Sequence, residues 1–170
     1  DGTLDFDEIR ANIRADNVIS VAATYDIQFL ASFSNFGARH VDVAAPGMLI
    51  NSTVPGNQFL QVSGTSQASP WVAYIAGVVK AENPALTPAQ VKALILGTVD
   101  MKEFLRGKVL SGGVVNAQRA TTAAQLSRTM GVREAISRAR TSVRDQVPAR
   151  EIIRQSTSKI APMPLAPMFR

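Results

Sequence analysis

Gly64-Thr65-Ser66-Gln67-Ala68-Ser69-Pro70-Trp71-Val72-Ala73-Tyr74-Ile75-Ala76-Gly77-Val78-Val79-Lys80 carries the decisive reading of this chain. From Ser66 to Lys80 the apolar residues fall on every face at helical spacing, which predicts a helix buried on nearly all sides. Pro70 is compatible with it, because it falls in the first turn, where its missing N–H has no partner to lose. Ser66 therefore stands where a glycine turn feeds a long apolar helix. The free backbone N–H groups and positive dipole end of such a helix face any charge developing at the serine. A serine hydroxyl is a weak nucleophile unless it is aimed, relieved of its proton by a base and provided with oxyanion donors. The aim and the donors are present in this stretch; the base is not. The same residues also suit a plain helix cap, and spacing alone does not separate the two readings.

Working outward, Val18–Thr24 and Val41–Gly47 are short, β-branched and apolar, as expected of buried strands, the second stopped by Pro46-Gly47. Residues 50–54 and 59–62, separated by Pro55-Gly56-Asn57, read as a hairpin that delivers the chain to Gly64. Downstream, Thr87-Pro88-Ala89-Gln90 is a capping box opening a helix with Val91, Leu94 and Ile95 on one face and an end near Gly97. Residues 108–115 suggest a further strand, and Asn116 a cap for a short helix over 117–124. Strands alternating with helices point to an α/β fold containing a parallel sheet.

Composition narrows the function classes. The chain has 170 residues, 46% of them hydrophobic and 18% charged, and no cysteine, so thiolate chemistry and disulfides are excluded within it while the redox compartment stays open. No apolar run approaches the roughly 18–20 residues needed to span a bilayer. Residues 1–10 are acidic and mixed and do not read as a signal peptide; Asp1 is expected to be an internal start or a processing point in a longer precursor.

Charge is uneven. Residues 1–117 hold 8 basic and 10 acidic side chains, and residues 118–170 hold 10 and 3, so the two parts carry −2 and +7. Such a shift marks a boundary, placed near Ala124, between a folded domain over 1–124 and an appended segment over 125–170. In that segment Leu126, Met130, Ile136, Ala139, Val143 and Val147 recur at mostly helical spacing among arginines, a basic amphipathic helix, and residues 161–167 are Pro-rich and extended. It reads as a helix packed on the domain with a solvated arginine face, as a segment for a partner or an anionic membrane, or as an exported tail removed on maturation. Nucleic acid is not expected as a partner, because no aromatic interleaving accompanies the charge.

Gly64-Thr65-Ser66-x-Ala68-x-Pro70 resembles the nucleophile motif of the subtilisin-like serine proteases, the subtilases. The resemblance extends, in family order, through Asn17-Val18-Ile19-Ser20-Val21-Ala22-Ala23, Phe33-Ser34-Asn35-Phe36-Gly37, Val41-Asp42-Val43-Ala44-Ala45-Pro46-Gly47, Thr87-Pro88-Ala89-Gln90-Val91 and Ser111-Gly112-Gly113, covering about residues 15–124. It implies the C-terminal portion of a three-layer α/β fold with a mainly parallel sheet and a buried nucleophile helix. It implies a secreted or periplasmic serine endopeptidase in which Ser66 is the acylating nucleophile and its N–H one oxyanion donor. Thr65 would flank that hole, and the turn at Gly64 would line the substrate cleft.

The triad Asp and His and the oxyanion asparagine of the family lie earlier than this chain begins, so the implied partners are the N-terminal part of the same domain and a peptide or protein substrate. The alternative is a non-catalytic, subtilase-derived binding module. His40, the sole histidine, falls in a variable loop entering a strand, not in the setting of the family's base, and Asp42 resembles a structural position. No cofactor is assigned; the resemblance allows a weak structural calcium or other cation near such a carboxylate. Gln67 stands where relatives often carry methionine, an amide that can reach substrate or the oxyanion side, and Trp71 and Tyr74 replace a histidine and a small residue, which calls for local repacking. Asn51-Ser52-Thr53 matches a glycosylation sequon too short to carry weight.

Overall fold

The computed structural model describes residues 17–148. The acidic start and the Pro-rich stretch lie outside the described residues. β1 (Val21–Tyr25) and β3 (Val43–Pro46) form where the apolar β-branched runs predict them, and they pair in parallel, Val21 opposite Val43 and Ala23 opposite Ala45. β2 (Phe29–Leu30) folds back antiparallel on β1. β7 (Gly113–Val114) lies parallel to β3, and β6 (Asp100–Met101) antiparallel to β7. The sheet order is β2-β1-β3-β7-β6, a parallel centre with two short antiparallel edges. Ala22, Ala23, Val43, Ala44 and Ala45 are fully buried, and these small side chains let a helix approach the sheet closely.

That helix is α1 (Thr65–Glu82), which packs across β1 and β3. α2 (Pro88–Gly97) and α3 (Ala117–Leu126) pack against it, and α4 (Val132–Ser142) packs on α2 and α3. The chain is thus α/β. α2 starts with the expected reciprocal box: Gln90 N–H donates to Thr87 Oγ1 at 3.3 Å, and Thr87 N–H to Gln90 Oε1 at 2.8 Å. Asn116 caps α3 by accepting from Arg119 N–H at 2.9 Å. β4 (Ile50–Val54) and β5 (Gln58–Val62) form the expected hairpin, separate from the main sheet.

Three local expectations change. α1 buries one face only, through Ala68, Val72, Ile75 and Val79, whereas Trp71 and Tyr74 on the other side are 45% and 63% exposed. An apolar residue on every face shows that a helix can be buried all round, but the burial needs a covering layer, and the described residues cover one side. Residues 108–115 pair as a strand only at 113–114, because Gly107 (φ 70°) and Gly112 (φ 66°) turn the backbone out of the extended region. The continuous amphipathic helix expected beyond Leu126 is broken: α3 ends there, the chain turns, and α4 restarts after Gly131. Asn83 Nδ2 donates to Ser127 Oγ at 2.8 Å, which anchors that turn to the end of α1.

Candidate active site around Ser66

Ser66 is exposed in the first turn of α1, with Gly64, Thr65 and Gln67 half-buried around it. The approach to this turn is set by close packing. Gly64 is extended (φ 166°), and its N–H donates to Gly47 O at 2.8 Å, tying the helix start to the end of β3. A Cβ on Gly47 would lie 2.7 Å from Ala23 Cβ, 2.7 Å from Gly64 O and 3.0 Å from Ala68 Cβ. Glycine is therefore required there for room, since β1, β3 and α1 converge on that point. Gln67 folds back on the same turn, its Oε1 only 2.6 Å from where a Gly64 side chain would begin.

No side chain caps α1, and its first turn holds no acidic residue. The positive end of an 18-residue helix therefore opens at Ser66 with first-turn N–H donors available to an anion or oxyanion. A cavity of about 360 Å³ adjoins Ser66, lined by Ile50 and Ser52 from the hairpin and by Ser66, Gln67, Pro70, Trp71 and Tyr74 from α1. Its lining includes neither imidazole nor carboxylate, so a base for the serine is not among the groups brought together here.

His40 sits in the turn before β3, its N–H donating to Gly37 O at 3.0 Å, and does not line the cavity. Asp42 is buried at the head of β3, where Oδ2 accepts from Ser20 N–H at 2.8 Å and lies 3.3 Å from Lys92 Nζ. Lys92 in turn donates to Val18 O at 2.6 Å, so the carboxylate ties β3, α2 and the lead into β1. Among the described residues, no group of three or more His, Asp or Glu is placed to hold a metal ion. The contributions of Ile50, Ser52 and Gly47 went unread in the sequence. Pro46-Gly47 carried a signal as a strand stop, but nothing local announces contact with a helix that starts 18 residues later.

A model described as the Subtilase family matches residues 4–132. The chain is 39% identical over 109 residues to a thermostable alkaline protease of Halalkalibacterium halodurans, a match covering 64% of this chain and 29% of that protein. It is 42% identical over 116 residues to an extracellular protease of Xanthomonas campestris pv. campestris, covering 64% and 20%, and 36% identical over 108 residues to Subtilisin Savinase of Lederbergia lenta, covering 64% and 39%. The chain thus spans well under half the length of these relatives. Among solved structures, it superposes on a chain from the subtilase cytotoxin SubAB assembly with a TM-score of 0.57 at 29% identity, over 74% of this chain and 39% of that one. On the A-subunit of the AB5 toxin from E. coli the TM-score is 0.56 at 31% identity, over 64% and 38%. With the family matched over most of its residues, and with the strand, hairpin and helix order intact around Ser66, this chain belongs to the subtilase family.

Proposed function

We propose that this chain supplies the nucleophile part of a serine endopeptidase that cleaves peptide bonds by acyl transfer. Ser66 Oγ attacks the carbonyl carbon, and its proton passes to a histidine from the preceding part of the same polypeptide, oriented by an aspartate from that part. The histidine returns the proton to the leaving amine, and water then repeats the sequence to release the acyl group from Ser66. Ser66 N–H donates to the oxyanion, Thr65 flanks it, and Gly64 and Gln67 line the cleft. The observation that carries this reading is an exposed serine at the uncapped positive end of a long helix.

The missing partners belong to the same reading, as does the exposed side of α1: Trp71 and Tyr74 are where the N-terminal part of the domain packs. Protein or peptide is the substrate, and a secreted or periplasmic location fits the extracellular protease among the relatives. The test is a fluorophosphonate probe applied to the full-length polypeptide that contains this chain, beside its Ser66→Ala variant. Covalent label on the first and none on the second is expected. A folded full-length protein that takes no label, or equal label on both, would show the reading to be wrong and favour a binding module instead.

A further inference from the structure

Residues 133–148 follow the last family-matched residue, yet they are built into the body of the molecule. α4 packs on α3 and α2; Ala135 and Ala139 are fully buried, and Ile136 Cδ1 lies 2.8 Å from where a side chain on Gly97 would begin. Past α4 the chain runs over the buried guanidinium of Arg119, whose side chain is 5% exposed. Arg119 Nη1 pairs with Asp100 Oδ1 at 3.0 Å and donates to Val99 O at 2.9 Å. Its other donors go to the C-terminal segment: Nε and Nη2 to Val143 O at 3.2 and 2.9 Å, and Nη2 to Asp145 Oδ1 at 2.6 Å. Asp100 is fully buried, and its Oδ2 accepts from Gln146 N–H at 2.9 Å and from Gln146 Nε2 at 3.1 Å.

A buried ion pair is tolerable when every donor and acceptor is satisfied and costly when some are not. Here the family-matched body contributes Arg119 and Asp100, and the segment beyond it completes both. The effect reaches the site through packing, because α3 carries Arg119 and lies against α1, to which it is also tied by Asn83–Ser127 and by Arg128 with Glu82. We propose that residues 132–148 are a C-terminal clasp. Docking of Val143–Gln146 on Arg119 and Asp100 seats α3, and α3 fixes α1, so the helix that bears Ser66 is set only after this segment has been made and docked.

Hydrogen exchange of the α1 amides, Thr65–Glu82, in the full-length polypeptide tests this without relying on Ser66 as a nucleophile. A chain ended after Pro148 is expected to exchange like the intact one. A chain ended after Gly131 is expected to exchange at least about tenfold faster in α1 and to melt roughly 6–20 °C lower, the range for breaking a buried charged network. Since that deletion can unfold the protein outright, Asp145→Lys provides the gentler arm: it sets a cation against Arg119 and is expected to speed exchange in both residues 132–146 and α1. If Asp145→Lys loosens 132–146 while α1 is unchanged, or if the chain ended after Gly131 keeps its α1 protection, the clasp does not govern the helix and the proposal fails. Fluorophosphonate labelling in the same variants should fall in parallel; that arm alone rests on the proposed chemistry of Ser66.

Discussion

Gly47 is the residue on which the site geometry turns. Its hydrogen side faces Ala23, Gly64 O and Ala68 at distances no methyl group can share, and two of those three neighbours belong to the turn and helix that carry Ser66. Gly47→Ala is expected to destabilise the protein by about 1–3 kcal/mol, the usual cost of overpacking, and to displace the Gly64 turn. Under the proposed function, peptide hydrolysis by the full-length polypeptide should then drop by more than the loss of folded protein accounts for. A variant that melts and turns over as the parent does would refute this account. Asp42 belongs to the same scale and illustrates why a carboxylate near a motif need not be catalytic: its Oδ2 is engaged by Ser20 N–H and Lys92.

Among the elements, α1 and α2 show what periodicity does and does not say. The capping box of α2 is a local interaction between residues three apart, so it was legible in Thr87 and Gln90, and its hydrogen bonds form as read. Thr87→Ala removes an N-cap acceptor and is expected to cost about 1 kcal/mol, measured as a shift in the denaturation midpoint with unchanged slope. For α1 the apolar content gave the helix but not its surroundings. Val72, Ile75 and Val79 are buried by β1, β3 and α3, whereas Trp71 and Tyr74 stand exposed on a side that no described residue covers. α4 reverses the case. Its charge suggested an appendage, with packing on the body as one reading, and the buried alanines show a short helix whose arginines stay at the surface while its small face docks.

On the scale of the whole molecule, the clasp ties acid stability to one exposed carboxylate. Arg119 holds the Asp145 carboxyl below the ordinary value of 3.8, chiefly by their hydrogen bond; partial burial opposes this, and Asp100 and Lys102 reinforce it. A depressed folded-state pKa contributes stability that is present above the ordinary value and lost as pH falls through the folded one. Melting temperatures of the parent and Asp145→Asn are therefore expected to differ at pH 6, and the difference to begin shrinking near pH 3.8 and to vanish only as pH falls through the lower folded value. A difference that stays constant over that range would remove Asp145 from the acid response. The α/β class, the strand, hairpin and helix order around Ser66, and both side-chain caps are legible from the residues alone, because each rests on residues close together in the chain and on motifs in a fixed order. Packing in three dimensions makes Gly47 the spacer between the Ser66 helix and the sheet, and it buries Arg119, in the sequence merely one of many basic residues, between Asp100 and Asp145. Those facts depend on groups 17 to 26 residues apart meeting in space, and such meetings leave no local trace in composition or spacing.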